Sequence, residues 1–222
     1  MPHSTMLDLP ALSARLRTTL DLSSGQRAMK THFLQQDSLL AIWRTLAVRR
    51  DFADTAFELS PAGDILVRDE DPWHQIFKTD VFCQLATQLG PRVALRLPIV
   101  TRSFGVRVPD VVWMPDEKWP DDDAEQATNP LAFAPDLCVE VLFGNAVCAA
   151  SLDSRTHAYL CSGAEEVIVV GADGTVEFRG REGVRGRSVF NVTLDLGTSF
   201  FYAAGSERRP LQARSTEPLQ KS

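Results

Sequence analysis

Two carboxylates stand inside runs that are otherwise apolar. Asp110 lies in GVRVPDVVWM, where an extended chain puts Val106, Val108, Asp110, Val112 and Met114 on one face. Glu140 lies in LCVEVLF with apolar neighbours on both sides. A buried, unpaired carboxylate costs several kcal/mol, so each needs a cation, a hydrogen-bond network or a proton. Two such acids on neighbouring strands suit one shared, hard divalent cation. The plainer account pairs each with a buried Arg or leaves it at a strand end in water.

The pattern around them indicates what positions these acids. Residues 1–50 carry Arg15, Arg17, Arg27, Lys30, Arg44, Arg49 and Arg50 against Asp8, Asp21 and Asp37, a net +4 in a chain of net −6. Helical apolar spacing at Leu12–Leu20 and Ser38–Val48 makes this segment a helical extension. From Thr55, TAFEL, the turn PAGD and ILV form a hairpin. Asp71–Leu89 is a helix closed by Gly90-Pro91. VALRLPIV and GVRVPDVVWM then read as two strands joined at Ser103–Gly105. A Pro- and acid-rich loop spans 115–135, DLCVEVLF is a buried strand, and Ala146–Cys161 is a helix ended by Gly163. EEVIVV, a turn at Ala172–Gly174 and TVEF follow, then weaker β segments to about Tyr202 and a polar, disordered tail from Ser206. The order predicts an α/β domain over 51–205 built on one mixed sheet flanked by helices.

Composition narrows the function classes. The 222 residues are 44% hydrophobic and 23% charged, as in ordinary globular domains. No run approaches the ~20 apolar residues of a membrane span, and the N-terminus has neither a basic start nor a continuous apolar stretch. Cys83, Cys138, Cys148 and Cys161 form no CxxC pair, and three of them sit inside apolar runs, which reads as small buried hydrophobes of a cytoplasmic protein. The acidic balance counts against a broad nucleic-acid-coating surface but permits a local basic cleft. GxxxxGK, GxGxxG and GxSxG are absent, which removes support for nucleotide-dependent and α/β-hydrolase chemistry.

A series of short motifs then points to one family: Phe57-Glu58-Leu59, His74, the run from Gly105 through Pro109-Asp110 to Trp113, Ala134-Pro135-Asp136 leading to Glu140-Val141-Leu142, and Tyr159 followed by Gly163 and Glu166. Over roughly residues 55–180 the chain resembles the Uma-two family of restriction endonucleases, within the PD-(D/E)XK nuclease superfamily. The resemblance implies a restriction-endonuclease-like core and a site that hydrolyses phosphodiester bonds with Mg²⁺, for which Mn²⁺ can substitute. Asp110 and Glu140 would ligate the metal, Glu58 would be an accessory acid, and His74 would stand at the start of the first core helix. The superfamily lysine lies two residues after the second acid, where this chain has Leu142. In the family it comes instead from the following helix, four residues before the Tyr, and that position here is Arg155. The family's Ser-Pro-Ser is replaced by Phe143-Gly144.

Arg155 keeps the positive charge of the lysine and can fork onto a phosphate, yet with a pKa above ~12 it cannot act as a base. An endonuclease acting on DNA, as a homodimer suited to double-strand cutting, is one expectation, with its activity weakened by Arg155. The alternative is a catalytically inactive nuclease fold that binds nucleic acid or protein. Tyr159 shares the helical face of Arg155 and is expected to pack its ring and donate one hydrogen bond. His74 reads as a cap or packing residue, Asp121–Asp123 as a solvated loop, and Arg179, Arg181, Arg185 and Arg187 either as a path for a phosphate backbone or as a solvated hairpin.

Overall fold

A computed structural model describes residues 35–49, 52, 56–68, 72–101, 103–120, 129–142, 149–171 and 173–196. The expected helix at Leu12–Leu20, the acidic run at Asp121–Asp123, Cys148 and the polar tail lie outside them. Three α-helices and ten strands are present among the described residues.

Helix α1 (Gln36–Ala47) follows from the spacing of Leu39, Ile42, Trp43 and Leu46, which line one face and are buried. That face covers a four-stranded sheet made of β1 (Ala56–Leu59), β2 (Ile65–Arg68), β4 (Ile99–Thr101) and β5 (Gly105–Arg107), in the order β2-β1-β5-β4. Each fully buried Leu on α1 contributes about 1.5–3 kcal/mol. The β1–β2 hairpin closes on Ser60, whose hydroxyl accepts from the Ala62 and Asp64 amides, with Gly63 at φ 83°.

The larger sheet has six strands in the order β10-β9-β8-β7-β6-β3: β3 is Val93–Leu95, β6 Val111–Trp113, β7 Leu137–Val141, β8 Glu166–Val170, β9 Val176–Gly180 and β10 Gly183–Arg185. It is mixed, because β7 and β8 run parallel while its other pairings are antiparallel. A helix joins β7 to β8, as parallel neighbours require. This is α3 (Ala149–Cys161), and α2 (Pro72–Leu89) lies on the other side. Alternation along β7 sends Leu137, Val139 and Val141 into a core with Phe77, Val81 and Leu85 of α2. Cys138 packs instead with Leu152, Tyr159 and Leu160 of α3.

The single sheet expected from sequence is in fact two sheets. VALRLPIV is divided into β3 and β4, and GVRVPDVVWM into β5 and β6, with the halves in different sheets. The breaks coincide with Pro98 and Pro109, which supply no N–H to a ladder and fix their own φ. Arg96 adds a left-handed backbone at φ 55° between β3 and β4. Among the described residues the weaker strands expected late in the chain reduce to β10, since residues 188–196 form none; the rest of that expected stretch, 197–202, lies outside them. The cysteines also divide: Cys138 is buried, whereas Cys83 and Cys161 are exposed.

Candidate active site

The division of GVRVPDVVWM governs the site. Asp110 sits in the bend just before β6, and its amide still donates to the Val139 carbonyl of β7 at 3.0 Å. Its side chain is fully buried. Oδ2 accepts from the Val141 amide at 2.8 Å and lies 3.6 Å from His74 Nε2. Oδ1 lies 3.3 Å from Arg68 Nη2 and 3.8 Å from Lys78 Nζ. His74 and Lys78 are one helical turn apart on α2 and reach the same carboxylate.

Glu140 follows Cys138 on β7's α3-facing row. Its Oε1 accepts from Tyr159 Oη at 2.6 Å and from Arg155 Nη2 at 2.7 Å. Glu58 enters from β1 of the other sheet. Its Oε1 accepts from the Val108 amide at 2.8 Å, and Oε2 from Arg107 Nη1 at 3.0 Å. Arg155 Nη1 donates to both Glu58 oxygens, at 2.7 and 2.6 Å. Arg155 therefore bridges the two sheets, and its Nη2 also donates to the Val108 carbonyl at 3.1 Å.

Arg68, the last residue of β2, reaches all three acids. Nη2 is 3.3 Å from Asp110 Oδ1 and 3.8 Å from Glu140 Oε2, while Nη1 is 4.0 Å from Glu58 Oε1. The Asp110 and Glu140 oxygens that it touches are thus separated by at most the sum of those first two distances, about 7 Å.

The electrostatics differ from acid to acid. Burial pushes Asp110 upward, but the adjacent His74 imidazole, the charge of Arg68 and the Val141 amide outweigh it and hold the pKa at about 2. At Glu58 burial is likewise overcome, here by Arg155, Arg107 and Arg68, and the pKa is lowered. At Glu140 burial wins despite Arg155, helped by the negative charge of Asp110, and the pKa is raised. Burial also drives the Tyr159 phenol well up, so it stays a neutral donor.

The structure therefore brings together Asp110, Glu140, Glu58 and Arg155, with His74 and Tyr159 at their side. Tyr159 packs its ring and donates one hydrogen bond, as its helical position suggested. Three participants went unrecognised in the sequence: Arg68, Arg107 and Lys78. Lys78 carried a readable signal, since it follows His74 by four residues on one helix and falls next to the apolar Phe77. Arg68 and Arg107 gave none, because a strand-end arginine ordinarily faces water. Arg179 and Arg185 belong elsewhere, paired with Glu177, Asp153 and Glu182 around the β9–β10 hairpin.

Asp110, Glu140 and Glu58 form an all-oxygen donor set, which fits Mg²⁺ or Mn²⁺ in chemistry. Among the described residues, however, no group of three or more His, Cys, Asp or Glu side chains is arranged to hold a metal ion. The Arg68 and Arg155 guanidiniums stand between the acids.

Two sheets meeting at buried acids, with a helix crossing between parallel strands, make a nuclease-like α/β fold. Residues 43–195 match the family model Uma2, described as "Putative restriction endonuclease". The match takes in more than two thirds of the chain, which belongs to that family. It also extends further than the motifs did, taking in part of α1. Among solved structures, the chain is similar to a putative nuclease of DUF820 from Anabaena variabilis, with a TM-score of 0.50 and 15% identity. That alignment covers 64% of this chain and 88% of the other. No curated protein matches. No helix among the described residues is long and apolar enough to cross a membrane.

Proposed function

We propose that the protein hydrolyses phosphodiester bonds in DNA with a divalent cation, Mg²⁺ or Mn²⁺, held by Asp110 and Glu140. The observation that carries this reading is the convergence of three buried carboxylates, from β1, the bend before β6, and β7, on one guanidinium. A bound cation would supply a water made nucleophilic and neutralise charge at the leaving oxygen. The chain's own residues do the positioning. Asp110, held ionised by the Val141 amide and Arg68, is a fixed anionic ligand. Tyr159 orients Glu140 through its hydroxyl. Arg155 and Lys78 place positive charge beside the acids, where a phosphodiester would develop negative charge. Arg155 is too basic to pass a proton at neutral pH, so it acts through charge alone. A homodimer is the arrangement that would let such a site cut both strands of a duplex.

The test is nicking of supercoiled plasmid by wild type, Asp110→Ala and Arg155→Lys with Mg²⁺ or Mn²⁺. The expected result is weak wild-type activity, none for Asp110→Ala, and an increase for Arg155→Lys. A guanidinium that spans Glu58 and Glu140 is replaced there by a compact ammonium, which leaves one acid free for the cation. Activity that survives loss of Asp110 would refute the site.

One observation favours a second reading, in which the fold binds nucleic acid or protein without cutting. Among the described residues, the three acids are answered by four cationic side chains, Arg68, Arg107, Arg155 and Lys78. The cluster is therefore compensated with no metal. Filter binding of a labelled duplex that needs no divalent ion, with no cleavage in any variant, would select this reading.

A further inference from the structure

The same charge count bears on how a divalent ion could enter, an inference that rests on the metal-dependent reading above. Among the described residues four cations are set against three carboxylates, and a divalent ion on the Asp110 and Glu140 oxygens would meet a guanidinium already there, at 3.3 and 3.8 Å. Like charges repel strongly at contact distance, so one cation must give way.

The candidates are not equivalent. Arg155 is nearly enclosed and binds its acids at 2.6–2.7 Å. Lys78 is buried to 1% exposure inside the α2 packing. Arg107 pairs with Glu58 at 3.0 Å, away from Asp110 and Glu140. Arg68 is different in each respect. Its side chain is 19% exposed, it ends an edge strand, and its contacts with the acids are long, from 3.3 to 4.0 Å, its one short bond being from Nη1 to the Val108 carbonyl at 2.9 Å. It also stands between Asp110 and Glu140, on the oxygens a cation would need.

We propose that Arg68 closes the cation seat in the free protein, and that it moves from the carboxylates to a substrate phosphate when a divalent ion takes its place. A guanidinium released from two carboxylates finds equivalent acceptors on a phosphodiester, to which it can donate two parallel hydrogen bonds. Metal and nucleic acid then bind cooperatively: each removes a cost that the other would bear alone. Arg68 is a positioning residue in the closed state and a substrate ligand in the open one.

The experiment is Mn²⁺ binding to the full chain by electron paramagnetic resonance, for wild type, Arg68→Gln, Arg68→Lys and the double variant Arg68→Gln with Asp110→Asn. Arg68→Gln is expected to bind Mn²⁺ at least tenfold more tightly than wild type, Arg68→Lys about as weakly as wild type, and the double variant to lose the gain. A phosphorothioate-substituted duplex should raise wild-type Mn²⁺ affinity at least tenfold and leave that of Arg68→Gln nearly unchanged. The duplex measurement on wild type decides the matter even if Arg68→Gln fails to fold. Equal Mn²⁺ affinity in wild type and Arg68→Gln, lost with Asp110→Asn, would overturn the role of Arg68 while leaving the metal reading intact. No Mn²⁺ binding in any variant, with or without duplex, would overturn both.

Discussion

Replacing Arg155 by Met tests whether the acids are held by charge. The thioether chain occupies much of the space of the arginine stem, so the dominant loss is the guanidinium. That group donates to both Glu58 oxygens, to Glu140 Oε1 and to the Val108 carbonyl. After its removal Glu58 keeps Arg107 at 3.0 Å and the Val108 amide at 2.8 Å. Glu140 keeps the Tyr159 hydroxyl at 2.6 Å but only the distant Arg68 as a cation, at 3.8 Å. Glu140 is therefore the orphan. Deleting one partner of a buried ion pair costs about 3–5 kcal/mol, because the other charge is left desolvated. The expected loss for Arg155→Met is about 3 kcal/mol or more on that scale, read by urea unfolding at pH 7 with tryptophan fluorescence. The sign of the pH effect follows. Glu140 already titrates above its unfolded value, and loss of Arg155 raises it further. Its penalty is present above that raised pKa and relieved as pH falls through it, so the deficit of the variant should shrink on mild acidification. Adding Glu140→Gln should recover part of the loss. A loss below about 1 kcal/mol, within the range of a surface pair, or a double variant no more stable than Arg155→Met, would refute this account.

Two further outcomes are expected. Asp110 titrates at about 2 against an ordinary 3.8, so its contribution is present above pH 4 and lost as pH falls through 2. Wild type should lose about 2 kcal/mol over that interval that Asp110→Asn does not lose, measured by chemical denaturation at each pH. Gly105, at φ 83°, sits where a Cβ would come 2.0 Å from the Leu59 carbonyl oxygen across the β1–β5 pairing. Gly105→Ala combines a left-handed backbone with a backbone clash and should cost about 2–5 kcal/mol in thermal or chemical unfolding; retention of wild-type stability would show that the strands can separate there freely.

The sequence was most legible where burial acts on periodicity. Leu39, Ile42, Trp43 and Leu46 define α1, and the five-residue apolar strands β7 and β8 announce themselves by composition. Asp110 and Glu140 were legible for the same reason, as charges in apolar surroundings. Two things escaped. The chain crosses between sheets at Pro98 and Pro109, and alternation cannot register such a crossing because the apolar pattern continues on either side of it. The cations escaped because an arginine's charge lies several bonds from its backbone. Arg68 belongs to a strand whose neighbours Leu66 and Val67 are exposed, yet its long side chain turns inward to Asp110.

The crossing at Pro109 also explains why Arg155 faces two acids at once. Glu58 belongs to the four-stranded sheet and Glu140 to the six-stranded one, so the residue facing both is set where the sheets meet. A planar guanidinium has donors enough to hold both acids at once, and Nη1 and Nη2 divide between them. An ammonium at the end of a shorter fork-free chain approaches one acid closely and leaves the other. Arg155 thus serves the joint between the sheets at the expense of a free carboxylate. Arg155→Lys should for that reason move stability and cleavage in opposite directions: less resistance to urea, more nicking. A variant that loses both would mean that the intact bridge is itself required for the acids to act, and a variant that changes stability alone would favour the fold as a binding module.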